Sequence, residues 1–427
     1  MYLRIWFARG DMLHSGRKII AGVLDRLGYA LLKKEDVQRL SVQGIKDALR
    51  RDNVMSHFMP RGYPPLKYAF TNQVEPTDED KAIARRLLRF YHTCKAEKDT
   101  GRKPEGDVWE GLQTGYHRHF IALLDRNDPE QLAAYLCNMS RYDAAHGLLQ
   151  GATVYDDLQA HEDTRQWIAT WHFDKLVCLA EALGCVPCEN PEQGHFGENL
   201  YLNVEDVLDM VEKKVGIDMR HPAVLGGLFG LDTSRGVLEF HYFFGMYAAW
   251  RILQVLGRRE NISVCEIGGG IGFTAHAAYR LGINDYSIFD LPYVSVMAGY
   301  YLIKVLPNAS VCLYGEHVSS NEAAIRLYPY WHYARATNTS FDLTLNQDSF
   351  PEIDIEIVKW YLDSMPRNTK HFFLSINQEG QAAFDTSGKG QLFVPALLRD
   401  RDTYELVYRF PYWLRKGYTE ELYRITI

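Results

Sequence analysis

"VCEIGGGIGFTAHAAYRLG", residues 264–282, sets four glycines between an apolar run and an amphipathic one. Ser263 to Ile267 are mostly β-branched or apolar, the make-up of a short buried strand. Beyond the glycines, Ala275, Ala278, Tyr279 and Leu281 fall near helical spacing, and Gly282 supplies a C-terminal stop. A strand, then Gly268, Gly269, Gly270 and Gly272, then a helix is how backbone N–H groups come to cradle a nucleotide-sized ligand.

Downstream the alternation continues. "DYSIFDLP", "ASVCLYG", "FDLTLNQDSF", "HFFLSINQE", "YELVYRFPYW" and "ELYRITI" are short apolar runs, most of them separated by helix-length segments. That rhythm predicts an α/β fold with a parallel, doubly wound sheet, and the closeness of the last two runs predicts an antiparallel hairpin at one edge. Upstream, residues 77 to about 240 read as a helical lobe. Thr77 caps "TDEDKAIARRLLRFYHTCK" with acids in its first turn, and Asp128 with Pro129 opens "DPEQLAAYLCNM". Val108, Leu112, Tyr116, Phe120 and Leu124 recur at four-residue steps and predict one continuous helix. Gly184 and Gly216 stop two more helices, and "FHYFFGMYAAWRILQVLG" leads into the glycine stretch. The expected division is an extension over 1–76, with Pro60, Pro64 and Pro65 marking extended chain, then a lobe over 77–240 and a sheet domain over 241–427.

At 427 residues the chain exceeds one ordinary core, and its 47% hydrophobic content supports sizeable ones. A formal net charge of −7 argues against a nucleic-acid partner. Seven cysteines without a disulfide-like framework suit reduced thiols and a cytoplasmic location. No stretch approaches the about 20 apolar residues of a spanning helix. Residues 18–34 have the pattern of an amphipathic helix, which packs on its own protein or rests peripherally on an anionic membrane. The sequence leaves the oligomeric state open.

Dinucleotide binding asks for G-x-G-x-x-G, but the third glycine would fall where Phe273 stands. The stretch instead reads E-x-G-x-G-x-G through Glu266, Gly268, Gly270 and Gly272. The next strand ends in Asp290, whose carboxylate suits both hydroxyls of a ribose, although Asp290 also suits a cap for the helix opening at Leu291-Pro292.

E-x-G-x-G-x-G followed by "FDLP" resembles the motifs of S-adenosylmethionine-dependent methyltransferases. The runs "FDLTLNQDSFPEI" and "FFLSINQE", with "ALGCVPCENPEQG" and "GLDTSRGVLEFHYFFGMYAAWRI" upstream, resemble bacterial sugar O-methyltransferases over roughly residues 165 to 427. The resemblance implies a Rossmann-like methyltransferase sheet and a sugar hydroxyl on a glycan or glycosylated metabolite as acceptor. A non-sugar O- or N-methyl acceptor, or a donor-binding protein without turnover, is compatible with the same motifs. By the same resemblance, Gly268, Gly270, Gly272 and Glu266 hold the donor's amino-acid portion, and Asp290 with Leu291 holds its nucleoside. Asn346, Asp348, Ser349 and Glu352 then line the reaction centre, with Asn377 and Glu379 close by.

Methyl transfer to a hydroxyl requires alignment and a proton acceptor, which a carboxylate, a histidine or a metal-bound oxygen supplies. Asp348 is the expected base, with Asn346 orienting a ligand through its amide. Ser349 and Glu352 also have the spacing of a helix capping box. His317 is a rival base, and His332, His371 and His241 are further candidates. A divalent metal is compatible with the chemistry, but no ligand set for one stands out. Cys185 and Cys188, near His195, lack the second pair that structural zinc needs. The aromatic run Tyr328 to Ala336 reads as a lid or as core, and Arg235 and His241 are the expected contributions of the lobe to an acceptor wall.

Overall fold

Among the described residues, β4 (Ser263–Ile267), β5 (Asp285–Asp290), β6 (Val311–Leu313), β7 (Ile325–Pro329), β8 (Phe341–Gln347), β9 (Thr369–Gln378), β10 (Tyr404–Pro411) and β11 (Tyr418–Ile425) form one sheet. Its order is β10-β11-β9-β8-β4-β5-β7-β6. The strands from β9 to β6 pair in parallel, and β11 is antiparallel to both β9 and β10. This is the doubly wound, Rossmann-like sheet expected from the sequence, and β10 and β11 form the expected hairpin. The computed structural model describes residues 63–97, 108–189, 197–258, 261–307, 309–316, 325–335, 341–379 and 391–426. The amphipathic segment 18–34, His195 and His317 lie outside them.

β4 and β8 are buried along nearly their whole length, so they read as apolar runs rather than alternating ones. Cys265 and Ile267 face a layer in which the helix Ile355–Asn368 packs Val358, Tyr361, Leu362 and Met365. Val264 and Glu266 point to the other face by the two-residue period of a strand. The helices Phe240–Leu256, Phe273–Arg280 and Pro292–Val305 pack there. Chain order reverses at β4, since β5 departs to one side and β8 lies on the other. In such sheets that point leaves a crevice at the strands' C-terminal ends.

One strand escaped the sequence reading. Ile325–Pro329 inserts as β7 between β5 and β6, so "ASVCLYG" supplies the edge strand rather than the third in order from the centre. The aromatic run that follows is a short helical turn, Tyr330–Arg335.

Within the lobe, Thr77 and Asp80 form a capping box on the helix Asp78–Ala96. Asp80 also accepts from Tyr300 at 2.9 Å and pairs with Lys304, tying that helix to Pro292–Val305. Gly299 permits the close approach, because a Cβ there would lie 2.7 Å from Leu87 Cδ2. The single helix expected across 108–124 is instead two, Val108–Thr114 and Arg118–Arg126. The break leaves Tyr116 exposed and turns His117 inward, 2.9 Å from the His146 carbonyl and 3.3 Å from the Tyr293 hydroxyl. Three short strands, β1 (Tyr68–Phe70), β2 (Phe229–Thr233) and β3 (Gly236–Leu238), form a separate antiparallel sheet beside the helices. Tyr63–Ile427 together make one compact unit.

Candidate functional site

The turn after β4 contains three left-handed positions, Gly268 at φ 77°, Gly270 at 55° and Gly272 at 93°. Glycine meets that requirement without steric penalty. At Gly268 an added Cβ would run into the side chain of Ser349, and at Gly269 it would lie 2.7 Å from Ile288 Cγ2. At Gly270 the nearest atom would be Leu148 Cδ2, 3.7 Å away, so this part of the turn faces open space. That space is a cleft open to solvent at the reversal point of the sheet.

Asp290 clasps the turn. Its Oδ2 accepts from the Gly270 N–H at 3.0 Å and its Oδ1 from the Leu291 N–H at 2.7 Å. A carboxylate oxygen has two lone pairs, so these bonds leave acceptor capacity toward the cavity that Asp290 lines. The capping and ligand-binding readings of this residue are thus compatible. Burial pushes the Asp290 carboxyl up to about 7, against the lowering effect of the backbone N–H bonds from Leu291, Gly270 and Gly269. Burial likewise pushes Glu266 up to about 7, although Tyr286 donates to it at 2.9 Å and Thr274 also bonds it. Two acids held against their preference on one cavity wall suit a ligand that brings positive charge.

The residues after β8 divide sharply. Asn346 does not reach the cavity. Its amide donates to the Ile267 carbonyl at 2.9 Å and lies 2.5 Å from Ser349 Oγ, while its Oδ1 accepts from Asn377 at 2.9 Å. It braces β4, β8 and β9 together, which corrects the ligand-orienting role expected for it, and Asn377 belongs to the same buried brace. Gln347 takes the wall position instead, with a buried Oε1 that has no partner among the described residues. Asp348 lines the cavity at φ 55°, but both its oxygens are engaged. Arg415 donates to Oδ2 at 2.5 Å and Tyr418 to Oδ1 at 2.6 Å.

Ser349 and Glu352 form no capping box, because the helix that follows starts later and is capped by Asp354. Ser349 Oγ bonds the Ile267 carbonyl at 3.2 Å and lines the cavity; Glu352 lies off the wall, 3.5 Å from Gln391 Nε2. Glu379 pairs with Arg409, away from the cavity. His332 stacks on Tyr328 at 5.0 Å, and His371 on β9 faces Asp342 on β8. His317 lies outside the described residues.

The opposite wall is formed by Trp109 and Leu148 of the lobe together with His241, Phe244 and Gly245 of the helix Phe240–Leu256 that leads into the sheet. Of the two lobe contributions expected, His241 is there and Arg235 is not. Arg235 is spent on Glu205 at 2.5 Å, Glu212 at 2.8 Å and Asp209. His241 is held by Glu239, whose carboxylate oxygens lie 3.1 and 3.2 Å from Nδ1. Glu239, which in the structure also caps the helix Phe240–Leu256, was not singled out in the sequence. Gly245 is equally unmarked there, yet a Cβ at that position would lie 2.7 Å from the Phe273 carbonyl carbon, so this helix crosses the start of the next one backbone to backbone. Tyr330 is the member of the aromatic run that lines the cavity, while Tyr333 is core. Cys185 and Cys188 are free thiols, and no group of three or more His, Cys, Asp or Glu side chains among the described residues is arranged for a metal. None of the described helices is long and apolar enough to cross a membrane.

No protein-family model and no curated protein sequence matches the chain. Among solved structures it is similar to the glycopeptide N-methyltransferase MtfA in complex with S-adenosyl-L-methionine and with sinefungin, at 15% identity over 43% of this chain and 94% of that one, with a TM-score of 0.33. It is also similar to the PH0226 protein from Pyrococcus horikoshii OT3, at 10% identity over 44% of this chain and 92% of that one, TM-score 0.34. A third is the ribosomal protein L11 methylase from Lactobacillus delbrueckii subsp. bulgaricus, at 12% identity over 44% and 81%, TM-score 0.30. At these identities the likeness is one of fold alone.

Proposed function

We propose that the chain is an S-adenosylmethionine-dependent O-methyltransferase acting on a sugar hydroxyl of a glycan or glycosylated metabolite. The observation that carries this reading is the left-handed glycine turn clasped by Asp290 beside the buried Glu266, at the reversal point of a doubly wound sheet. A nucleoside with a cationic amino-acid arm matches that wall in shape and charge. Asp290 and Leu291 would hold the ribose side, and Gly268 to Gly272 with Glu266 the amino-acid side. When bound, the donor supplies a methyl group already activated on a sulfonium.

The chain's own work is then to align an acceptor, exclude water and take one proton. Trp109 and Phe244 line the wall opposite the glycine turn, and aromatic side chains suit the C–H face of a sugar ring. In this reading residues 77–240 and the first turns of the helix Phe240–Leu256 form the acceptor side, and the sheet with its glycine turn forms the donor side.

The test is incubation of the full chain with methyl-labelled donor and a panel of neutral glycans and glycosylated metabolites, read by mass spectrometry. The expected result is a single added methyl on a sugar oxygen. Labelling confined to non-sugar nitrogen or oxygen would overturn the acceptor class. Absence of donor binding in calorimetry would overturn the donor.

A further inference from the structure

Four titratable side chains line the described cavity with a carboxylate or imidazole: Glu266, Asp290, Asp348 and His241. Three are committed elsewhere. Glu266 is bonded by Tyr286, Asp290 clasps the glycine turn, and Asp348 is neutralised by Arg415 and bonded by Tyr418. A carboxylate already paired with a guanidinium is a weak proton acceptor, since taking a proton would break that pair.

His241 is different. Its Nδ1 faces the Glu239 carboxylate at 3.1 and 3.2 Å, which places the proton on Nδ1 and leaves the Nε2 lone pair free. Glu239 cannot turn away, because it is buried and also accepts the His241 backbone N–H at 3.1 Å as the cap of its own helix. Burial works against the charge on Glu239, yet its bonds from His241 hold the carboxyl below the usual range. The imidazole lies nearly parallel to the Phe273 ring, 6.5 Å between centroids, alongside the first residue after the glycine turn.

We propose that His241, oriented by Glu239, is the base that takes the proton of the acceptor hydroxyl; this rests on the methyl-transfer reading above. As the acceptor oxygen's lone pair forms the new C–O bond, the C–S pair stays on sulfur and the O–H proton passes to Nε2. The resulting imidazolium is balanced by Glu239 until the proton leaves to water. Glu239 is a positioning residue in this scheme.

The charged and titratable groups facing the imidazole are Glu239 on its own element and His172 on the neighbouring helix Glu162–Ala182. Burial pushes His172 down to about 4, so it is neutral near neutral pH and adds no charge beside the imidazole.

The test is ring-nitrogen NMR on the full chain, with His241 signals identified by their loss in His241→Asn. At pH 8 the expected ring is protonated on Nδ1 and bare on Nε2, and Glu239→Gln is expected to mix the tautomers. Sinefungin, which carries an amine where the donor carries its methyl, should move the Nε2 signal; S-adenosylhomocysteine, with nothing there, should move it much less. An Nε2-protonated ring, or an Nε2 signal unmoved by sinefungin that calorimetry shows to be bound, would overturn the proposal. Both of these are read on the native sequence, and His241→Gln supplies the same assignment where His241→Asn fails to fold. If neither ligand binds, the donor reading falls first and the proposal with it.

Discussion

Arg415 donates to Asp348 across 67 residues of chain and lies 4.2 Å from the Tyr418 ring, so the turn between β10 and β11 holds the loop after β8 in place. With Asp348 thus occupied, Asp348→Asn is expected to keep the left-handed backbone, which Asn tolerates, and to lose the ion pair. Stability should fall by about 1 kcal/mol, since the pair is partly exposed. Turnover should fall less than about tenfold, whereas loss of a general base costs about 10²–10⁴-fold. Steady-state kinetics beside a urea melt separate the two, and a collapse of turnover would return the base role to Asp348.

Asp290→Ala removes both the clasp on Gly270 and the acceptor facing the cavity. Donor affinity should weaken by about 1.5–3 kcal/mol, the scale for hydrogen bonds to a charged group. Isothermal calorimetry with S-adenosylhomocysteine measures it, and unchanged affinity in a folded variant would remove the ribose assignment.

Donor binding should depend on pH with a definite sign. Glu266 and Asp290 are both pushed by burial to about 7, so at pH 6 the free chain holds them largely protonated. A cationic ligand favours the ionised forms, so S-adenosylmethionine affinity should rise from pH 6 to pH 8 and binding near pH 7 should release protons. Calorimetry in buffers of different ionisation enthalpy detects the release. Without ligand the same two groups act oppositely on folding. Their folded pKa values lie above the unfolded ones, so their contribution to stability is present at low pH and is lost as pH rises through about 7. Asp290→Asn should flatten that part of the Tm-against-pH curve relative to the native chain.

Two glycine substitutions separate backbone strain from collision. Gly270→Ala adds a Cβ to nearly open space at φ 55° and should cost about 1–2 kcal/mol. Gly268→Ala adds the same strain and also presses on Ser349, whose Cβ would lie 2.5 Å away, so its melting temperature should drop further. Equal shifts in thermal melts would mean that Ser349 moves aside freely.

How far the fold could be read in advance followed the range of each interaction. The caps at Thr77 and Asp128 and the stops at Gly184 and Gly216 were legible because their chemistry lies within a few residues of the helix end. The break before Arg118 was not, since what turns His117 inward is the carbonyl of His146 and the hydroxyl of Tyr293. β7 was hidden although Ile325 and Leu327 alternate with Arg326 and Tyr328, because a run of only five residues ending in proline suits a loop as well as a strand. At the site, the glycine turn and Asp290 announce themselves by spacing. Asn346 does not disclose its task, because an amide that braces three strands and one that binds a ligand are the same residue type, and only complete burial separates them. The Glu239–His241 pair looks in sequence like an ordinary helix start, and Arg415 gives no local sign of Asp348.

The contact of Gly245 with the backbone of Phe273 bears on how the enzyme would set its reach. The helix Phe240–Leu256, which brings His241 and Phe244 to the cavity, and the helix springing from the glycine turn meet at this point without a side chain between them, so no soft cushion separates the two. Their spacing is therefore a property of the main chain, as fixed as the gap of a calliper locked at one setting. If the proposed methyl transfer runs across this cavity, a side chain at residue 245 would press these two helices apart and change the distance the methyl group has to travel.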